Sequence, residues 1–214
     1  MEDYMLDVED VEGAVSSGIQ NFNNDSGCTP VTFLLHGNNS LSEDFPQTEV
    51  KIELDGGEVV WEALIYDAAS PERINRFQDE IARCVKISPF TYYDNFESSE
   101  VVEFIDASEL PEGVVGYTSV VTNVETGEKR TVQRIFLRFD HEGKKGMMYL
   151  SVMNPSGEPA DLSPVELIDP ALRNAEATLD HTGLDSSTPS PAPTTTAGTS
   201  EAPSATDSPT QSSE

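Results

Sequence analysis

The sequence predicts an α+β fold, in which an antiparallel sheet of five to seven strands carries N-terminal, central and C-terminal helices packed on it. Three observations favour this class. Apolar residues recur at helical spacing near the N-terminus, and an amphipathic block follows residue 70. Short β-type runs, of which the first alternates apolar with polar residues, recur across residues 48–153. The 214 residues accommodate one domain, assigned to residues 1–182, and an appendage at residues 183–214.

The first predicted element is an N-terminal helix. Val8, Val11, Val15 and Ile19 are three or four residues apart, which places their side chains on one face of a helix. Acidic residues in the first turn suit the positive end of the helix dipole. A polar stretch at residues 23–27 is expected to end this helix.

The next predicted elements are strands. Residues 30–35 form a short β-type run, and residues 48–54 alternate apolar with polar side chains. A turn at residues 55–57 leads into a second apolar run at residues 59–66. The last two strands are therefore predicted to form a hairpin.

The central helix is predicted over residues 70–84. Ser70 is a candidate N-cap, and Pro71 suits the first helical position. An apolar stripe follows, formed by Ile74, Phe77, Ile81 and Cys84. The stripe indicates that one face of this helix packs on the sheet.

Five further strands and a last helix complete the predicted fold. The strands cover residues 90–93, 101–105, 114–122, 131–139 and 147–153, and polar turns join the last three into a meander. Ser163 and Glu166 have the spacing of a capping box. Pro170 is expected to break or restart the helix, so that Asp169 caps a final stretch through Leu179.

The charge of the chain excludes one class of partner. The chain has 12 basic and 39 acidic residues, which gives a net charge of −27. Such a surface repels phosphate backbones, so nucleic acid is not an expected partner. A solvated secreted surface is the favoured interpretation, and the acidic coat of a halophilic protein is the alternative.

Export is expected, although the first residues do not form a signal peptide. They are acidic, where a signal peptide is basic and then apolar, and no run of about 18 apolar residues occurs in the chain. A signal is therefore expected to have been removed or to lie upstream of Met1. Membrane association is expected only through a lipid anchor upstream of Met1.

The C-terminal residues 183–214 consist mainly of Ser, Thr, Pro and Ala. Such a composition cannot bury enough apolar surface to offset chain entropy, so this acidic tail is expected to be disordered. It has the character of a wall-spanning or O-glycosylated stalk. A disordered terminus without a role is the alternative.

The two cysteines, Cys28 and Cys84, are either a disulfide or two buried thiols. They fall at the start of the first predicted strand and at the end of the central helix, which a sheet crossed by a helix could bring together. A disulfide is the favoured interpretation and implies an oxidising compartment.

The sequence offers no catalytic or metal-binding constellation. The turn after His36 resembles the oxyanion turn of α/β-hydrolases, but no Gly-x-Ser-x-Gly pentapeptide accompanies it. His36, His141 and His181 are too scattered for metal-ligand spacing. The acidic clusters lack the spacing of a calcium loop. We therefore expect no enzymatic activity, no cofactor and no metal.

The block from Trp61 to Cys84, with the pattern Trp-x4-Tyr-x3-Ser-Pro-x5-Phe-x6-Cys, resembles the extracellular sensor domain of mycobacterial PknH-type kinases and related actinobacterial lipoproteins. The resemblance implies a groove between sheet and helices and a helix-end cysteine bonded to one near the domain start, matched here by Cys84 and Cys28. The second disulfide of the kinase domains and the kinase itself have no counterpart here. The late meander and last helix resemble LpqN-type lipoproteins more weakly.

These observations predict a non-enzymatic, extracytoplasmic protein of the actinobacterial cell envelope that binds an unknown envelope ligand or protein. A structural or adhesion-type wall protein with a spacer tail is the alternative. Trp61, Tyr92 and Tyr93 are the candidate groove residues, unless these aromatic side chains belong to the core. The acidic surroundings suit an amphipathic or cationic ligand better than a phosphate-rich one.

Overall fold

The computed structural model describes residues 4–19, 27–28, 47–66, 71–94 and 96–181. Four sequence-based predictions lie outside these residues. They are the strand at 30–35, the cap at Ser70, the turn after His36 and the disordered tail at 183–214.

The described residues form strands β1 (Ala14–Ile19), β2 (Gln47–Leu54), β3 (Val59–Tyr66), β4 (Phe90–Asp94), β5 (Phe96–Phe104), β6 (Val115–Asn123), β7 (Lys129–His141), β8 (Lys144–Asn154) and β9 (Thr178–Leu179). Their α-helices are α1 (Pro71–Ile87) and α2 (Ile168–Asn174). Short 3-10 helices lie at Ala107–Glu109 and Pro164–Leu167.

All these strands belong to one antiparallel sheet. Its order is β1-β2-β3-β8-β7-β6-β5-β4, and β9 pairs with the end of β7. The connection through α1 carries the chain from β3 to the far edge strand β4, and β5 to β8 then return as a meander toward β3. None of the described helices has the length and apolar character needed to span a membrane.

The sheet has two buried faces, because alternate residues of a strand point to opposite sides. On β7, Ile135 and Leu137 belong to one core cluster, whereas Phe136 belongs to the other. The cluster of Phe136 includes Ile81 and Cys84 of α1, and we call this side the helix-side face. The opposite side, the termini-side face, packs against Met5, Leu6, Val11, Leu167, Ile168, Ala171 and Leu172.

The predicted α+β class is wrong, because the predicted N-terminal helix is a strand. Ala14–Ile19 pairs with β2, with a bulge between Ala14 and Ser16. Gly13 has a positive φ of 79°, which breaks helical geometry just before this segment. Val15 is 63% exposed, so the apparent helical stripe does not form one buried face. The Val, Ser and Gly residues here also have modest helix propensity.

The C-terminal helix is shorter than predicted. The Ser163 and Glu166 capping box is present, but it opens a 3-10 helix. Pro170 lies in the first turn of α2, where its missing N–H breaks no helical bond. Glu176, with a φ of 49°, turns the chain away after α2, and Thr178–Leu179 is a strand.

Several predicted elements are present. The hairpin at 48–66 appears as β2 and β3, joined by a tight turn at residues 55–58. The central helix begins at Pro71 and extends to Ile87. The five later strands are present as β4 to β8, most of them longer than predicted. In the described residues, one sheet of nine strands with two α-helices therefore replaces the predicted sheet of five to seven strands with three packed helices.

A buried carboxyl group holds the N-terminal segment against the sheet. Glu62 on β3 is fully buried on the termini-side face, and its Oε2 accepts a hydrogen bond from the Leu6 N–H at 2.6 Å. Burial raises the pKa of Glu62 to about 8, the bond from Leu6 opposes this shift, and the Asp10 charge adds to it. Glu62 is therefore protonated in the folded protein at neutral pH.

This proton predicts that stability falls as pH rises through neutrality. The unfolded chain releases the proton near pH 4.5, whereas the folded protein keeps it to about pH 8. Between these values the folded state binds more protons, so we expect the free energy of unfolding to drop by up to about 1.4 kcal/mol between pH 6 and pH 7. Urea unfolding at the two pH values measures this slope.

Glu62→Gln should flatten that slope, because the amide does not titrate. Glu103→Gln on the exposed side of β5 is the matched control and should leave the slope as in the wild type. A Glu62→Gln protein with the wild-type pH slope would contradict the assignment of the proton to Glu62.

Candidate functional site

The helix-side face contains a buried group of polar and aromatic side chains, which we call the polar cluster. Its members lie on β5 to β8 and are Glu100, Tyr117, Ser119, Arg134 and Tyr149, all nearly inaccessible to solvent. Buried charges are retained only where partners compensate the loss of hydration. The arrangement around Arg134 supplies such partners.

Arg134 is the centre of the polar cluster. Its Nη1 donates a hydrogen bond to the Ser119 hydroxyl, and its guanidinium carbon lies 5.2 Å from the Tyr117 ring centroid in a cation–π contact. Burial lowers the pKa of Arg134, but the Tyr117 and Tyr149 oxygens and the Glu100 carboxylate outweigh this and raise it. The guanidinium therefore stays charged inside the sheet layer.

A disulfide-anchored segment covers the cluster next to β4 and β5. Cys28 and Cys84 form the predicted disulfide, with an S–S distance of 2.06 Å. The preceding Gly27 donates its N–H to Glu100 Oε2 at 2.6 Å. A Cβ atom at Gly27 would overlap the Tyr92 ring, so only glycine lets the backbone approach that ring. The disulfide thus joins the end of α1 to residues 27–28, which lie over Glu100.

The structure separates the three predicted groove residues. Trp61 packs against the helix-side cluster and is half-buried. Tyr92 is also half-buried on that face, where burial and the Glu100 charge raise its pKa to about 12 and Arg130 hydrogen-bonds its hydroxyl. Tyr93 points to the other side of β4 and is 79% exposed. Trp61 and Tyr92 therefore share a face, but four strands lie between β3 and β4, and Tyr93 is on the opposite face.

Sequence reasoning missed a row of arginines on β7. Arg130, Arg134 and Arg138 are four residues apart, which places all three on the helix-side face. The signal was available, because this spacing occurs in an alternating run of a chain with only 12 basic residues. Arg138 is buried and pairs with Asp180 at 2.8 Å. Arg134 and Arg138 thus have protein partners for their charge, and Arg130 hydrogen-bonds the Tyr92 hydroxyl.

A surface pocket lies at the outer end of this arginine row. Its volume is about 600 Å³, and it is formed where β6, β7 and β8 end. The lining residues are Val121, Asn123, Glu128, Lys129, Arg130, Met153, Pro155 and Ser156. Two basic residues in one pocket are notable in a chain with a net charge of −27. The pocket favours an anionic group over a cationic one.

The remaining sequence candidates do not gather into a catalytic site. His141 contacts the Tyr4 ring, and its Nδ1 lies 3.2 Å from the Glu176 carbonyl oxygen. His181 Nδ1 lies 3.0 Å from the Glu112 carbonyl oxygen. In the described part of the chain, no group of three or more His, Cys, Asp or Glu residues could hold a metal ion.

No family model matches this sequence, and neither curated proteins nor solved structures give a significant match.

Proposed function

We propose that this protein is a non-enzymatic, extracytoplasmic ligand-binding protein of the actinobacterial cell envelope. The observation that carries the proposal is the pocket of about 600 Å³ at the end of the helix-side face. Its volume falls within the range of roughly 300–1,000 Å³ typical of small-molecule sites. Its lining combines apolar and polar side chains, which suits an amphipathic ligand.

The polar cluster supports binding rather than a purely structural role. A scaffold gains more from apolar packing than from buried charges, which lose hydration. Ser98 Oγ and Arg134 Nε are among the buried polar atoms of the described residues that have no hydrogen-bond partner there. Ser98 pairs in register with Asn123 of the pocket, so unsatisfied polar capacity lies beside the proposed site.

The disulfide supports the proposed location. Structural disulfides persist in oxidising compartments and are rare in the reducing cytosol. Cys28 and Cys84 are both buried, with 0% and 2% exposure, as is usual for a structural bond rather than a catalytic one. An extracytoplasmic location is consistent with this pair.

Ligand retention tests the proposal. The oxidised protein is incubated with an organic extract of actinobacterial envelopes, desalted and measured by native mass spectrometry. We expect a non-covalent adduct whose released mass equals that of a compound in the extract. Ser156→Trp should abolish the adduct by filling the pocket, and Glu109→Trp, on an exposed 3-10 helix, is the matched control that should retain it.

Three results would contradict the proposal. An adduct that survives Ser156→Trp would place binding elsewhere, and the absence of any adduct would favour the structural wall protein. A released compound altered by the addition of water would show turnover and contradict the non-enzymatic assignment.

A further inference from the structure

The sheet ends in two edge strands, β1 and β4, whose sequences differ in how well they suit a further strand. β1 has a bulge between Ala14 and Ser16 and a glycine at Gly18, and both features disturb the pairing of another strand. β4 has the sequence Phe-Thr-Tyr-Tyr-Asp, which has high β propensity and contains no glycine, proline or lysine. In the described part of the chain, β4 pairs with β5 alone. Within this part, β4 is therefore the edge better suited to pairing with another strand.

The termini-side face of β4 and its neighbours carries exposed apolar side chains. Of the five large apolar side chains that are exposed among the described residues, three lie here, namely Tyr93, Val101 and Val124. Alternation along β4, β5 and β6 places all three on this one face. The Val124 N–H donates to the Glu97 carbonyl oxygen, and Glu97 is in register with Tyr93, so these three residues form a row. Contiguous exposed apolar side chains mark interaction surfaces.

The charges around this row indicate the kind of partner. Glu97 and Glu103 are exposed on the same face, and Glu125 and Glu128 are exposed at the turn between β6 and β7. Among the described residues of this part of the face, Lys129 is the one cation. A second copy of the chain, with its net charge of −27, would bring acidic residues against acidic residues. Charge complementarity therefore favours a basic partner.

We propose that β4 pairs with an extended basic segment of a partner protein, which adds a strand to this edge of the sheet. Backbone hydrogen bonds to β4 hold the segment. A Lys or Arg side chain of the segment stacks on the exposed Tyr93 ring and extends toward the Glu97 carboxylate. β4 contributes no residue to the lining of the pocket, so this inference adds a protein partner to the proposed ligand binding.

The probe is the peptide Thr-Lys-Val-Arg-Val-Lys-Thr, whose basic residues share one face of a strand. The control peptide, Thr-Pro-Lys-Arg-Pro-Lys-Thr, has the same charge, but its prolines interrupt both edges of the peptide strand. Binding to the full-length oxidised protein is measured by calorimetry and by amide chemical-shift changes. We expect the probe to bind with shifts at residues 90–104, and the control peptide to bind at least about tenfold more weakly.

Two variants of the exposed Tyr93 side chain test the edge itself. Tyr93→Lys places a like charge against the basic segment and should weaken binding of the probe at least about tenfold. Tyr93→Phe keeps the aromatic ring and should retain the wild-type affinity. Val15→Lys is the matched control, because Val15 is 63% exposed on the other edge strand, and it should also leave the affinity unchanged.

Four results would overturn the inference. Equal binding of the two peptides would indicate non-specific attraction to an acidic chain. Equal weakening by Tyr93→Lys and Val15→Lys would place the probe away from β4. A wild-type dimer in sedimentation velocity that Tyr93→Lys dissociates would show that β4 pairs with a second copy of the chain. Loss of probe binding in Ser156→Trp would place the probe in the pocket instead.

Discussion

Replacing Asp180 with alanine is expected to lower the free energy of unfolding by about 3–5 kcal/mol. Asp180 and Arg138 have side chains only 5% and 2% exposed, and their Oδ2 and Nη2 atoms are 2.8 Å apart. Removing the carboxylate leaves a buried guanidinium without its charge partner, which costs more than the pair contributes. Urea unfolding at pH 7 measures the loss.

Asp180→Ala is also expected to loosen the C-terminal residues of the domain. The Asp180 N–H donates to the Arg138 carbonyl oxygen at 3.0 Å, directly after β9 pairs with β7. The backbone bond survives the substitution, but the side-chain attachment does not. We therefore expect residues 178–181 to lose protection from hydrogen exchange before the rest of the sheet.

Two further variants show whether the loss of stability comes from the lost charge of Asp180 or from its lost side-chain volume. Asp180→Asn keeps the side-chain volume and should destabilise nearly as much as alanine, because the lost charge is the cause. Lys145→Met removes the second cation, which is 43% exposed, and should cost less than about 1 kcal/mol. A Lys145 variant as unstable as the Asp180 variants, or an Asp180→Ala protein of wild-type stability, would contradict the explanation.

Reducing the Cys28–Cys84 disulfide is expected to cost about 4 kcal/mol of unfolding free energy. The bond closes a loop between residues 56 positions apart, so its loss releases a large conformational freedom in the unfolded chain. Comparing oxidised with reduced wild-type protein in urea measures the effect without a change of sequence. A loss under about 1 kcal/mol would contradict the loop-closure explanation.

The same bond is expected to matter for the candidate site. Gly27 next to Cys28 donates to Glu100 and packs against the Tyr92 ring, so reduction should loosen this cover. We expect tyrosine fluorescence or the Tyr92 ring signals in NMR to change on reduction before global unfolding. The Cys28→Ala, Cys84→Ala double variant should reproduce the reduced protein and be insensitive to reductant.

The sequence by itself determined most of the local structure of this protein. Alternation at 48–54, the apolar run at 59–66 and the turn between them predict β2 and β3, because each of these signals is a local property of the chain. The start of α1 at Pro71 and the capping box at Ser163 were equally readable, because each depends on neighbouring residues only. Because the chain has only two cysteines, a disulfide could join only Cys28 and Cys84.

Only the tertiary structure decided the secondary structure of residues 14–19. Their spacing fits a helix, but pairing with β2 makes them a strand, since a sheet edge offers backbone hydrogen bonds that outweigh a modest helix propensity. The class of the fold changed with this one segment and with the short α2.

The candidate site was decided in the same way. Alternation along β4 places the consecutive Tyr92 and Tyr93 on opposite faces. Only the tertiary structure shows that Tyr92 shares its face with Trp61. The partners of Arg134 come from three other strands, so no local pattern predicts the polar cluster. Charge compensation between distant residues is a property of the folded sheet, and a linear sequence does not contain the distances on which it depends.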